Sequence, residues 1–352
     1  MKKNLLIIQQ HQFGYLTDSY KWCEYLRDKY NITVLCYDAK KEKMNLEGVH
    51  VKYIGIVKSR YLRGFLFLFI CIWNILCKRG KVIVVYFKQC DYLKRILPFQ
   101  RMLLDIRTLS VSSEEKIRTE YDQALIKSSR YFDYISVISE GIKNKIGDRN
   151  NIGILSLGAD ILSTKKKQYD YLRLLYIGTL TNRHIEKTIE GISIFHQNYP
   201  NIDFTYDIVG DGNSNELDEL KLLVKKKNLS NYISFHGRVP YSHVSYYFDT
   251  CNIGVSFIPM TEYYDYQPPT KTYEYILAGL YTIATATLMN KTLISNRNGI
   301  LIEDTPESFA QSIKTIYKKR NHLKEIEIRE SLQEYTWKNI VTTQLIPILK
   351  NI

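Results

Sequence analysis

Gln267–Leu280, QPPTKTYEYILAGL, is the stretch on which the reading of this chain turns. Two prolines, a threonine and a lysine stand where a loop passes into a helix, good helix formers follow, and Gly279 closes the run. Proline suits the first helical turn and glycine the position just past the last, so the spacing predicts a short helix from about Pro269 to Ala278. Its N-terminus offers unpaired backbone N–H groups, the positive end of a helix dipole and Lys271, which together make a site for a diphosphate. Glu274 lies one turn further along the same face, where a carboxylate accepts hydrogen bonds from sugar hydroxyls. An ordinary capped helix with a surface Lys–Glu pair fits the motif equally well.

Around this stretch the second half alternates strand and helix. LRLLYIGTL reads as a strand with a glycine turn and HIEKTIEGISIFHQNY as an amphipathic helix. FTYDIVGDG, ISFHGRV, IGVSFIP, YTIATAT and GILIED supply further strands. The first half opens in the same way, with LLIIQQ, a Gly14-containing loop, an amphipathic helix and ITVLCYD, and continues through VHVKYIGI, VIVVYF and RMLLDIRTLSV. The fold expected is α/β, two doubly wound Rossmann-like domains facing one another across a cleft, with the final amphipathic helix crossing back to the first domain. The expected limits are 1–160, 161–330 and 331–352. IGILSLGAD reads as a short extended linker and the lysine run of TKKKQYDY as a solvated loop.

Gly14 sits in the first strand-to-helix loop, where it serves equally as a plain turn or as a close approach to substrate. Asp105 and Arg107 end a strand, a position suited to chemistry and also to a structural ion pair. The segment SRYLRGFLFLFICIWNILCKRGK has an apolar body bracketed by Arg60, Arg63, Lys78, Arg79 and Lys81. It is read either as a core helix or as one lying on an anionic bilayer. Its unbroken apolar part falls short of the roughly 18 residues of a spanning helix, so no transmembrane segment is expected.

The 352 residues carry 45% hydrophobic and 24% charged side chains, the composition of a folded globular chain. A formal net charge of +13 calls for an anionic partner, either a phosphorylated substrate or an acidic membrane. The lysines are scattered and no nucleic-acid-binding pattern appears, so nucleic acid is not expected. Six cysteines without a C-x-x-C pair read as reduced cytoplasmic thiols, and MKKNLLIIQQ as a first strand instead of a signal peptide.

LLYIGTL followed by a helix, YDIVGDG, ISFHGRVPYSHVSYYFDTCNIGVSF, PPTKTYEYILAGLYTIATAT and NGILIED stand in series over about residues 172–318. In this order they resemble the nucleotide-binding half of retaining glycosyltransferases with the GT-B fold, particularly glycosyltransferase family 4. The Gly14 loop, LLDIRTLSV and the SVISEGI to LSLGAD hinge resemble one subgroup's first half, and the helix around Trp337 is similar to the family's return crossing. The resemblance implies an acceptor-side first domain and a nucleotide-sugar-binding second domain. It implies that Glu274 holds the ribose hydroxyls and that Lys271 and the backbone at Thr270, entered through Pro269, face the diphosphate. Arg183 or His184, with the register open by one residue, is implied as the phosphate-binding basic residue. Gly178 and Thr179 line the phosphate side, Gly210 belongs to the same substrate-binding set, Arg238 and Val239 border the base, and Arg107 lies beside the donor sugar. Where many members carry a first glutamate this chain has Tyr266, so those sugar contacts fall to backbone or to Asp265.

The reaction so implied is retaining transfer of a sugar from a nucleotide-diphosphate donor to an acceptor hydroxyl. It needs no metal and no cofactor beyond the donor, since the only aspartates near an Asp-x-Asp pattern, Asp203 and Asp207, fall around a strand. The acceptor is read as a glycan or lipid-linked glycan of surface polysaccharide assembly at the cytoplasmic membrane face. A nucleotide-sugar epimerase of the same fold and a non-catalytic nucleotide-binding protein stay as alternatives. No carboxylate pair suited to glycoside hydrolysis is identifiable.

Overall fold

The computed structural model describes residues 2–147 and 149–352. The chain divides into two compact units, Met1–Leu157 with Trp337–Ile352, and Gly158–Thr336. The divisions lie a few residues from the 160/161 and 330/331 read from sequence. Leu155 and Leu157 are buried, and the Ser156 N–H donates to Gln344 Oε1 of the C-terminal helix at 2.8 Å.

The first unit is built on β1 (Lys3–Ile8), β2 (Tyr30–Asp38), β3 (Val49–Gly55), β4 (Lys81–Val85), β5 (Leu103–Ile106), β6 (Tyr134–Val137) and β7 (Ile152–Ile154). They form one sheet in the order β3-β2-β1-β4-β5-β6-β7 with every pairing parallel. The central strands are near-continuous Leu, Ile and Val because both faces are covered by crossover helices. Part of the expected linker is therefore strand: Ile152–Ile154 pairs with β6, its alternating register satisfying backbone groups that a free linker would leave to water.

The helix Arg60–Lys78 bears on two expectations. It runs for 19 residues and is long and apolar enough by length and composition to cross a membrane. Nor is it a well-buried core helix. Phe67, Cys71, Asn74 and Ile75 face the unit's interior, whereas Tyr61 (91% exposed), Leu62, Phe65, Phe69, Trp73 and Leu76 face outward. The buried side is anchored by Asn74, whose Oδ1 accepts from Lys52 Nζ at 2.7 Å. An apolar stripe at 62, 65, 69, 73 and 76 follows the helical repeat, so a whole face is left without a covering layer.

The second unit holds β8 (Leu172–Ile177), β9 (Phe204–Val209), β10 (Ile233–Gly237), β11 (Ile253–Ser256), β12 (Tyr281–Thr285) and β13 (Gly299–Ile302). They are ordered β10-β9-β8-β11-β12-β13, again all parallel. Its approach segment is more firmly held than a solvated loop. Lys167 is buried, its ammonium donating to the carbonyls of Phe248 and, at 3.2 Å, Asp249, because a buried cation must find acceptors.

Candidate active site

In the second sheet the strand order reverses between β8 and β11, and ligands of such sheets bind beyond the strand ends at that reversal. β8 runs out into Gly178 and β9 into Gly210, with φ of 136° and 142°. A Cβ on Gly210 would fall 1.8 Å from the Gly178 carbonyl oxygen, so the two loops touch backbone to backbone and admit no side chain. The Gly178 N–H donates to Val209 O at 2.9 Å and the Leu180 N–H to Asp211 O at 2.9 Å, which ties the loops together.

The chain leaves β11 and returns as the helix Thr270–Leu277, with Pro269 at its N-cap. Its buried face is fixed from three sides. The Tyr275 ring packs on Gly254, where a Cβ would lie 2.4 Å from it, and the Tyr275 hydroxyl accepts from the Ile177 N–H at 2.9 Å. Thr272 Oγ1 pairs with Ser256 Oγ at 2.7 Å and donates to Asn290 Oδ1 at 3.0 Å. At the far end Gly279 takes φ of 81°, its N–H meets Ile276 O at 2.9 Å, and the Leu280 N–H meets Tyr275 O at 2.9 Å. These paired bonds form a Schellman cap. The helix is held rigidly while its first N–H groups remain without intrahelical acceptors.

Charge gathers at that N-terminus. Lys271 Nζ lies 3.7 Å from the centroid of the Tyr176 ring and 3.2 Å from the place a Gly178 Cβ would take. Among the described residues it is a buried atom with no hydrogen-bond partner, and so is Arg183 Nη1. The Arg183 guanidinium stacks over Tyr264 at 4.5 Å. Desolvation, then repulsion from Arg183, pulls the Lys271 pKa down to about 7, with Glu274 opposing the shift. Glu274 is pushed up to about 7 by desolvation and the negative charge of Asp160, against the pull of Lys271. Both side chains are half-buried, keeping only a little accessible surface, which is the setting in which solvation loss dominates a pKa.

Other residues singled out in the sequence fall as follows. His184 takes left-handed backbone, φ 54°, at the start of the helix Ile185–Asn198, where its exposed ring pairs with Glu186 at 2.8 Å. The structure thus turns Arg183, and not His184, toward Lys271. Thr179 follows Gly178, its carbonyl accepting from the Tyr176 hydroxyl at 2.6 Å. Arg238 is exposed beyond β10, and Val239 packs on the core around Leu175, Val209 and Phe248. Tyr266 ends the short helix Glu262–Asp265 and Thr270 is exposed; Asp265 Oδ1 accepts from the Leu288 N–H at 3.2 Å.

Two expectations in the first unit need correction. Arg107 is not an open group beside a sugar. It is buried, ion-paired to Asp18, 3.6 Å from Asp105 Oδ1, and donates to Leu155 O at 2.8 Å. Burial works against its charge, but the two aspartates outweigh burial and raise its pKa. Asp105 is itself lifted to about 6 by desolvation despite Arg107 and Ser136. At Gly14, φ is 90° and the Cβ position is taken by Met44, whose sulfur would be 2.3 Å away. The glycine lets this loop pack against Met44.

Tyr176, Tyr264 and Asp160 were missed in the sequence. One tyrosine among 29, inside a strand, reads as core. Its role as a platform under an ammonium exists only once helix and strand meet. Among the described residues no group of three or more His, Cys, Asp or Glu side chains gathers to hold a metal ion.

Two doubly wound parallel units, the second with its strand order reversed between β8 and β11, give the chain the GT-B fold. Residues 161–338, slightly more than half of the chain, match Glycosyl transferases group 1, and the chain belongs to that family. A sequence comparison with curated proteins gives no match. Among solved structures, the Anabaena protein Alr3699/HepE in complex with UDP is similar at TM-score 0.78 and 14% identity over 99% of this chain and 100% of that one. Sucrose-phosphate synthase from Thermosynechococcus elongatus is similar at TM-score 0.74 and 15% identity, covering 99% and 100%. The lipopolysaccharide outer core galactosyltransferase WaaB in its apo form is similar at TM-score 0.74 and 14% identity, with both chains covered fully.

Proposed function

We propose that the second unit binds a nucleotide-diphosphate-sugar and that the chain transfers the sugar to an acceptor hydroxyl with retention at the anomeric carbon, without a divalent metal. One observation carries this reading: the buried, unpaired Lys271 Nζ and Arg183 Nη1 at the start of the helix Thr270–Leu277. Two cations without an anion are costly in a desolvated place, and a diphosphate relieves that cost. The HepE complexes with UDP and with UDP-glucose favour a uridine diphosphate donor here.

As the bond from the anomeric carbon to the diphosphate oxygen breaks, negative charge grows on the diphosphate and positive charge on the ring. Lys271, Arg183 and the first helical N–H groups stabilise the leaving group with donors already in position. The acceptor oxygen bonds to the same carbon on the face the diphosphate leaves, and its proton passes to a departing phosphate oxygen. Glu274 holds the ribose hydroxyls, Gly178 and Thr179 line the phosphates, and Arg238 and Val239 border the base. Backbone groups and Asp265 make the sugar contacts for which Tyr266 has no carboxylate.

The acceptor in this proposal is a lipid-linked glycan of surface polysaccharide assembly, met at the cytoplasmic face of a membrane. Support comes from the exposed apolar face of the helix Arg60–Lys78 with Arg60, Arg63 and Arg79 at its ends, a combination suited to an anionic bilayer surface. The enzyme would be a peripheral membrane protein.

The test is a thermal-shift panel of nucleoside diphosphates and their sugar conjugates on the native chain and on Glu274→Ala. A bound donor at about 100 times its dissociation constant stabilises the fold by roughly 2.7 kcal/mol. A shift with one nucleoside diphosphate that shrinks in Glu274→Ala is expected; no shift with any nucleotide sinks the reading.

A further inference from the structure

The first unit carries a groove of about 1070 Å³ between the helices Arg60–Lys78 and Asp91–Ile96. That is the upper end of small-molecule sites. One wall is Leu68, Phe69 and Ile72, the facing wall Tyr92 and Ile96. Gln10, just past β1, and Lys88 and Gln89, past β4, also line the groove. β1 and β4 are the strands between which the first sheet reverses its order, so the groove reaches that sheet's own ligand-binding position. A smaller cavity lined by Asn4, Asn31 and Lys81 lies at the other ends of these strands, away from it.

Arg60, Arg63 and Lys88 line the same groove. Among the described residues none of their three side chains makes an ion pair or hydrogen bond; Asp91, on the facing helix, pairs with Arg95 at 3.7 Å and accepts from Ser128 at 3.2 Å. Three unpaired cations beside a long apolar trough match an amphiphile with an anionic head. Gly64 adds a second sign. It lines the groove within a helix, where glycine is disfavoured, and a Cβ built on it meets nothing within 4 Å. No close approach of the fold demands this glycine; what it does is leave the trough open. The outward stripe at Phe65 and Phe69 borders the groove, which gives a lipid chain a continuous apolar path from a bilayer.

We propose that this groove seats a lipid phosphate, its chain between the two helices and its phosphate or diphosphate on Arg60, Arg63 and Lys88. Calling that lipid the sugar acceptor rests on the function proposed above; the binding site itself does not.

Farnesyl diphosphate is the probe, with farnesol as chain alone and inorganic pyrophosphate as head alone, titrated calorimetrically into the full chain. The expected result is that farnesyl diphosphate binds at least tenfold tighter than either fragment. Gly64→Phe, which fills open space, and the triple variant Arg60→Gln, Arg63→Gln, Lys88→Gln should each weaken it at least tenfold without lowering the melting temperature. Pyrophosphate binding as tightly as farnesyl diphosphate in a Lys271→Met background, which removes the lysine of the second unit's diphosphate site, would reduce the groove to a cationic patch and overturn the proposal. So would unchanged affinity in Gly64→Phe. The nucleotide shift, read in parallel on the same variants, should persist; its absence in the native chain counts against the transferase reading and leaves the lipid result standing on its own.

Discussion

At the residue scale, the unusual feature is that Lys271 and Glu274 sit one turn apart, both carrying pKa values near 7. A lysine whose folded pKa is depressed destabilises the fold in its charged form. That penalty is full below about pH 7 and fades as pH rises toward the unfolded value of 10.5. Lys271→Met should therefore raise the melting temperature of the unliganded protein at pH 6. The same change should weaken nucleoside diphosphate binding by the worth of a charge-assisted hydrogen bond, about 1.5–3 kcal/mol or roughly ten- to a hundredfold, by calorimetry. A bound diphosphate returns the lysine to its charged form. Between pH 8 and 9, where Glu274 is already ionised, UDP binding should take up protons, seen as a dependence of binding enthalpy on buffer ionisation heat. Proton release there would contradict the placement of Lys271 at the phosphates. Arg107 gives a contrasting case: with Asp18 and Asp105 buried around it, Arg107→Ala should cost about 3–5 kcal/mol in urea unfolding, by stranding two carboxylates. Choosing between Arg183 and His184 was beyond sequence because it depends on one left-handed residue at a loop end, φ 54° at His184.

At the element scale, the focal helix was legible: Pro269 and Gly279 bracket it as their chemistry requires, and the observed bounds are Thr270–Leu277. The reason for its rigidity was not. That lies in contacts with residues distant in the chain, such as Tyr275 against Gly254 and its hydroxyl on the Ile177 N–H. Glycines in strand-end turns read as turns, yet Gly210 is required by another backbone, the Gly178 carbonyl. Gly210→Ala adds overpacking to left-handed strain and should destabilise by at least ~2 kcal/mol, lowering the melting temperature by about 4–8 °C. The helix Arg60–Lys78 was open between two readings because apolar composition does not say which face is covered. Three-dimensional packing covers only the side of Phe67, Cys71 and Ile75.

At the scale of the whole molecule, the net charge of +13 is partly spent on structure. Lys78 donates to Thr33 Oγ1, and Lys167 to main-chain carbonyls, while among the described residues the side chains of Arg60, Arg63 and Arg79 have no ion-pair partner at the ends of the apolar helix. Each such cation near an anionic surface contributes about 1 kcal/mol, so neutralising the three should weaken binding to phosphatidylserine-containing vesicles by about 3 kcal/mol, roughly a hundredfold. Native binding should fall as salt rises. Sedimentation with vesicles measures both, and binding to uncharged vesicles of equal strength would count against the electrostatic part.

By itself the sequence determined the alternation of strand and helix, the two α/β halves and the place of the glycosyltransferase motif, because apolar period and turn residues are local properties. Only the tertiary structure decided that Arg183 and Lys271 face each other over Tyr264 and Tyr176, that Arg107 is locked among aspartates, and that the helix Arg60–Lys78 keeps an uncovered face and a groove. These follow from which atoms lose water together, and desolvation is a property of the packed neighbourhood that no stretch of chain carries alone.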